Sequence, residues 1–235
     1  TFYTILFREN QLSLSPLSRT EDKADVNNDG WKTLLTTFDK IYKIPGNNRP
    51  TNTRSITPEV EQFEKELNVA SIAVGYGRHV NFPPQLNWDI VTLPTFKEKP
   101  KTTAQSSPTF WAVTSASKHK DEAFQVIMYL MSDERMIETS KQGLLTPVNL
   151  PEVQKAFATD APALKGKNLQ ALFINQYASI EPPRAPGLLN TVRQDAINIV
   201  SDAFTDMLLK DIDVNTALRQ AEEKINQKIA EVKSK

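Results

Sequence analysis

Val69-Ala70-Ser71-Ile72-Ala73-Val74, followed at once by Gly75-Tyr76-Gly77, is the stretch on which the fold turns. A short apolar run that stops at a glycine pair reads as a buried strand feeding a tight loop. The same reading extends outward to residues 88–93, stopped by Pro94, and to residues 110–113. Elsewhere the spacing is helical. Trp31, Leu34, Leu35, Phe38, Ile41 and Tyr42 share one helical face, with Asn28 or Asp29 placed to cap its start and Pro45-Gly46 to end it. Thr57-Pro58 opens a short helix whose buried face is Val60, Phe63 and Leu67. Ala123, Phe124, Ile127, Met128 and Met131 stripe a helix starting near His119, and a second helix follows Ser132 and stops at Gly143. Short helices are expected within 147–158 and over 168–175, and the prolines of 181–187 break any helix there. Two long helices close the chain, over about 188–209 and 215–232. Leu188, Val192, Ala196, Ile199, Ala203 and Met207 face inward on the first, and Leu218, Ala221, Ile225 and Ile229 on the second. Many helices alternating with a few short buried strands predict an α/β fold.

Composition removes several functions. Lys+Arg and Asp+Glu both number 28, so the formal charge is zero. That argues against a basic footprint for nucleic acid and against a polybasic membrane surface. The absence of cysteine excludes disulfides, thiolate metal sites and cysteine nucleophiles. An apolar share of 39% over 235 residues suffices for a real core. A mean hydropathy of −0.43 belongs to a water-soluble globular composition. No apolar run reaches the roughly 18 residues of a membrane span. No signal peptide is visible and the first residue is Thr1. The expectation is that the start of the gene product, with any targeting signal, lies outside this sequence.

Motifs point the same way. Asp25-Val26-Asn27-Asn28-Asp29-Gly30 matches the first half of a calcium loop, with Asp25, Asn27 and Asp29 as the candidate ligands. Position 12 is Thr36, which cannot close the site with a bidentate carboxylate, so a turn capping the next helix is the competing reading. His79 and His119 each stand without a partner at ligand spacing. No nucleophile elbow, P-loop or dinucleotide fingerprint occurs, and seven glycines leave little for phosphate-cradling loops. Carboxylates such as Glu134, Glu138, Glu222 and Glu223 fall on solvated helix faces, and no glycosidase pair stands out. No catalytic residue and no cofactor is assigned. Tyr76 is the informative aromatic: a flat ring on a strand-end loop can stack on a sugar face, or pack against a neighbouring loop.

Taken in order, these segments resemble a known family, the family 1 extracellular solute-binding proteins, the group that contains the maltodextrin-binding protein. The resemblance rests on Phe63-Glu64-Lys65 ending a helix, then the Val69 to Val74 run and Gly75-Tyr76-Gly77. Next come Asn87-Trp88-Asp89-Ile90-Val91-Thr92-Leu93-Pro94-Thr95-Phe96-Lys97, then Ser106-Ser107-Pro108-Thr109-Phe110-Trp111-Ala112-Val113 ahead of Ser117-Lys118-His119-Lys120-Asp121-Glu122-Ala123. It covers essentially the whole chain, with roughly 150 residues of the family's front portion absent. It implies a periplasmic-binding-protein-like type II fold, with two lobes, a hinge, and lobe 1 largely missing. Residues 1–106 would be the first segment of lobe 2, 107–155 the return segment of lobe 1, and 156–235 the closing helices of lobe 2.

The function it implies is capture of a sugar or oligosaccharide in the cleft and delivery to the permease subunits of an ABC importer, without catalysis. A monomer is implied, extracytoplasmic, periplasmic or tethered as a cell-surface lipoprotein by an anchor in the missing part. Tyr76 falls where relatives place a sugar-stacking aromatic, and Gly75, Gly77 and Arg78 share its loop. Ser106, Ser107 and Thr109 lie near the hinge as hydrogen-bonding candidates, and Arg184 is placed to reach the cleft. Arg78 and Arg184 have a competing reading as salt-bridge partners. If both lined the cleft, an acidic sugar would be the expected ligand. The competing functions are a glycan-active hydrolase and a ligand sensor feeding a membrane receptor.

Overall fold

The computed structural model of the chain describes residues 8–47, 57–105, 110–148 and 150–234. The α-helices are α1 (Asp29–Tyr42), α2 (Thr57–Glu61), α3 (Lys120–Leu130), α4 (Asp133–Lys141), α5 (Pro151–Ala156), α6 (Arg193–Lys210) and α7 (Val214–Lys233). Two short strands, β1 (Thr102–Gln105) and β2 (Gln176–Ala178), pair in parallel. The chain divides into two compact units. The larger comprises Thr1–Leu86, Leu93–Ser106 and Asn175–Lys235, and the smaller Asn87–Thr92 and Ser107–Ile174. Residues 156–174 thus cluster with the smaller unit.

In the larger unit α1 begins where its cap allows. The Asn28 side chain accepts from the Trp31 N–H at 3.1 Å, and its amide donates to the Asp25 carbonyl and carboxylate at 3.1 Å each. Such a cap is worth about 1 kcal/mol. Asn27 donates to the Glu222 carboxylate on α7 at 3.1 Å. A Cβ on Gly30 would lie 2.4 Å from Leu14 Cδ2, so this glycine serves close packing. The Asp25 to Gly30 run is therefore a capping turn tied to α7. Among the described residues no group of three His, Cys, Asp or Glu side chains could hold a metal ion.

The core is where α1, α6 and α7 meet. Trp31, Leu34, Leu35 and Phe38 pack with Ala196, Val200, Phe204 and Met207 and with Leu218, Ala221, Ile225 and Ile229. Phe204 is fully buried. It meets Phe38 edge-on at 6.4 Å and Tyr42 at 6.3 Å. The Trp31 indole donates to the Ser15 carbonyl at 3.2 Å, which satisfies its only polar atom. Ile41, expected on the buried face, is exposed at the end of the helix. α6 starts at Arg193, later than its stripe suggests, because Gly187 holds a φ of 85° and the chain turns again before Val192.

The apolar run at 69–74 forms no ladder among the described residues and has half-buried and exposed positions but no buried one. It is not the buried strand that its composition predicts. Residues 88–93 and 110–113 likewise lack ladder partners. The α2 region continues as a π-turn over Gln62–Glu66 and stops at Leu67, which takes a left-handed φ of 56° and is exposed rather than buried. The sheet forms instead from polar Thr102–Gln105 and Gln176–Ala178, with Thr102 opposite Gln176 and Thr103 opposite Tyr177. Gln11, wholly buried beside it, donates to the carbonyls of Pro94 at 3.1 Å and of Thr102.

The smaller unit is built on α3, α4 and α5. Ser132 caps α4 by accepting from the Arg135 N–H at 3.4 Å. Gly143 ends that region with a φ of 78°, and a Cβ there would sit 2.4 Å from Leu164 Cδ1. The Ser140 hydroxyl donates to the Val153 carbonyl at 2.6 Å, and the Ser140 carbonyl accepts from Ala158 at 2.8 Å. Side chains replace a ladder around residues 88–92. Asn168 donates to the Ile90 carbonyl at 3.1 Å, its N–H donates to the Asp89 carboxylate at 2.7 Å, and Lys167 donates to the Trp88 carbonyl. Among the described residues the buried apolar side chains of this unit are Met136, Val153, Leu164 and Ala171. No residue of α3 is buried.

Candidate functional site

Gly75 precedes a 3₁₀ turn over Tyr76–Asn81. The Tyr76 ring lies 4.3 Å from the His79 ring at an interplanar angle of 33°, and His79 Nδ1 sits 2.6 Å from the Tyr76 carbonyl oxygen. Partial burial raises the Tyr76 phenol to about 12. A Cβ on Gly75 or Gly77 would meet nothing within 4 Å, so neither glycine is there for close packing. Arg78 points back into its own unit. It forms a fork to Glu64, Nε to Oε1 at 2.6 Å and Nη2 to Oε2 at 2.8 Å, and Glu64 is buried. The loop is braced further by Phe63 and Phe82, whose rings are 5.8 Å apart. Tyr76, Gly75, Gly77 and Arg78 are thus held together as one local element.

Arg184 is used differently. Its Nε donates to the Ser18 carbonyl at 2.7 Å, and Nη2 to the Glu21 carbonyl at 2.9 Å and the Asp22 carboxylate at 3.2 Å. Its Nη1 donates to the Leu189 carbonyl. The side chain is only 6% exposed. It clamps the proline-rich loop to residues 18–22. Asp22 also accepts from the Leu189 N–H at 2.9 Å and pairs with Lys233 at 3.1 Å. The Leu189 hydrogen bond, then Lys233 and Arg184, hold its carboxyl below the usual value. Both arginines therefore satisfy carboxylates of their own unit. Ser106, Ser107 and Thr109 lie outside the described residues.

Two features carry no sequence signal. Glu9 is buried, and burial pushes its carboxyl up to about 8, with Arg193 acting to lower it and Glu181 to raise it. Arg193 pairs with Glu181 at 2.7 Å, while among the described residues Glu9 Oε2 and Arg193 Nη1 find no hydrogen-bond partner. Neighbouring Arg8 stands over the Phe96 ring at 5.0 Å. In the smaller unit a cleft of about 470 Å³ is lined by Phe157 and Phe173, packed edge to face at 5.3 Å, with Gln154, Lys167, Asn168 and Gln170. No described helix is long and apolar enough to cross a membrane.

No family model matches the chain, and no curated protein sequence matches it. Among solved structures it is similar to a "putative oligosaccharide periplasmic-binding protein" from Synechococcus sp. MITs9220. The TM-score is 0.58 at 15% identity, over 97% of this chain and 58% of that one. The chain therefore spans less than two thirds of that neighbour's length. At this identity the likeness is one of fold: a mostly helical chain with few strands that follows the course of part of that neighbour.

Proposed function

We propose that the chain is part of an extracytoplasmic solute-binding protein that captures a sugar or oligosaccharide and hands it to the permease subunits of an ABC importer. The observation that carries this reading is the fold likeness along 97% of the chain to a protein described as an oligosaccharide periplasmic-binding protein. The ordered segments that resemble family 1 extracellular solute-binding proteins support it independently. In this reading the fold is the two-lobed type II arrangement. The larger unit belongs to lobe 2, the smaller holds the return segment of lobe 1, and the remainder of lobe 1 lies on further polypeptide.

The work is binding without covalent chemistry. Closure of two lobes removes water from the ligand and strengthens each hydrogen bond to it. Tyr76 is the stacking candidate, flanked by Gly75 and Gly77, where a Cβ would meet nothing within 4 Å. Arg78, fixed by Glu64, stiffens the loop. Ser106, Ser107 and Thr109 are the hydroxyl donors near the hinge. Arg184 holds the scaffold, and with both arginines engaged internally a neutral saccharide is favoured over an acidic one.

Titration calorimetry of the full gene product against a panel of neutral and acidic oligosaccharides tests the proposal. Saturable binding of a neutral saccharide is expected, weakened about three- to tenfold by Tyr76→Ala. Absence of binding to every saccharide would overturn the substrate class.

A further inference from the structure

The cleft in the smaller unit lies outside the residues that the solute-capture reading uses. Two segments line it. One is Gln154 and Lys155 of α5 with Phe157 just beyond, and the other is Lys167 to Gln170 with Phe173. Its volume of about 470 Å³ is that of a small-molecule site. Phe157, Leu169 and Phe173 are half-buried, whereas Gln154, Asn168 and Gln170 are exposed. The lining is therefore apolar where it is buried and carboxamide where it meets water. No Asp or Glu is among these lining residues.

Both segments are fixed in advance. Val153 is buried, and its carbonyl accepts from the Ser140 hydroxyl at 2.6 Å. Beside Phe157, Ala158 holds a left-handed φ of 61°, and its N–H donates to the Ser140 carbonyl at 2.8 Å. A non-glycine residue keeps that conformation where its surroundings impose it. On the other segment, Asn168 is tied to Asp89 and Ile90. Lys167 donates to the Trp88 carbonyl, with its ammonium 4.8 Å from the centre of the Trp88 ring. Groups held in this way lose little freedom when a ligand arrives.

We propose that this cleft is a second saccharide site, on a different unit from the Tyr76 loop, in which one pyranose ring lies against Phe173 and hydrogen-bonds to the rim carboxamides. The lining selects the ligand class. A pyranose offers an apolar C–H face, which suits a phenyl ring. Its hydroxyls both donate and accept, and so does a carboxamide. The two phenyl rings meet at 85° with centroids 5.3 Å apart, so they form no parallel slot for a planar base. Lys167 is engaged with Trp88, so the lining has little charge to offer a phosphate. The proposal goes beyond the capture reading, which assigns nothing to these residues.

NMR of the full gene product, carbon-13 labelled at phenylalanine, tests it during titration with maltotriose, cellotriose, xylotriose and mannotriose, with AMP as the contrasting ligand. The Phe157 and Phe173 ring signals, assigned by their loss in Phe157→Leu and Phe173→Leu, should shift saturably with at least one trisaccharide and not with AMP. Phe173→Leu keeps apolar volume but removes the ring, and Gln170→Ala removes a carboxamide at an exposed position. Each should weaken the interaction about three- to tenfold. Tyr76→Ala should leave it unchanged. Should Phe173→Leu lose structure, Gln170→Ala and the shifts in the parent still decide the matter. Ring signals that stay still with all four trisaccharides overturn the proposal, as does a stronger response to AMP. Loss of the shifts in Tyr76→Ala overturns it too and leaves the capture reading standing. Saturable shifts at these two rings, with no other saccharide binding by the protein, uphold the proposal and sink the capture reading.

Discussion

Replacing Glu9 with Gln should reshape the pH dependence of stability. Glu9 is only 4% exposed, and burial raises its carboxyl from 4.5 to about 8. In the unfolded chain the carboxyl loses its proton near 4.5, while in the folded chain it keeps the proton until about 8. Between those values the folded state binds more protons, so raising the pH favours unfolding. The stabilisation is complete below 4.5 and disappears as pH rises through about 8. The slope is about 1.4 kcal/mol per pH unit, with a ceiling of roughly 5 kcal/mol over the whole window. Gln fills nearly the same volume and does not titrate. Urea unfolding of both proteins at about pH 5, 6, 7 and 8 isolates the effect from other groups. The parent should lose stability relative to Glu9→Gln steadily across that range. A difference that stays constant with pH would refute the reasoning, because Glu9 would then be ionised in the folded protein.

Arg184→Ala should lower the melting temperature by about 5–10 °C, because it strips hydrogen bonds from several carbonyls and leaves Asp22 short of a cation. Thermal melting checks this, and an unchanged midpoint would mean the clamp is idle. Gly143→Ala should cost about 1–3 kcal/mol by urea unfolding, since a Cβ would meet Leu164 at 2.4 Å and the φ of 78° disfavours any side chain. In an alkaline spectrophotometric titration, the Tyr42 and Tyr76 phenols should ionise only near pH 12, Tyr42 through burial and the nearby Glu59 carboxylate, Tyr76 through burial. Tyr42→Phe and Tyr76→Phe should each remove amplitude from that late phase.

The helix α1 was legible from a clear apolar stripe and a capping residue, and α7 from its stripe alone, its Asp213 cap being supplied by the structure. Asn28 accepts from Trp31, and Asp213 accepts from the Asn215 and Thr216 N–H groups at 3.0 and 3.1 Å. The strands were not legible. β1 and β2 are polar and short, and Thr102 becomes strand only because Gln176 reaches it from a distant part of the chain. The run at 69–74 has strand composition, but composition does not supply a ladder partner. The same gap separates a candidate site residue from its role. Arg184 in a proline-rich loop looks free to meet a ligand, and only the tertiary fold brings the Ser18 and Glu21 carbonyls to its guanidinium. The Glu64 carboxylate does the same for Arg78 from within one short segment. Tyr76 keeps its candidacy because open space adjoins its flanking glycines.

The packing of α1 against α6 and α7 also fixes when the larger unit can mature during synthesis. Its first wall is made early and its other walls last. About 150 residues separate them, a delay of roughly 10–30 s at ordinary elongation rates. Throughout that interval Trp31, Leu34, Leu35 and Phe38 have on the nascent chain only the smaller part of their core, Leu17, Ala24, Val26 and later Phe96. A helix with so apolar a stripe is a natural client for a chaperone that shields it until translation ends.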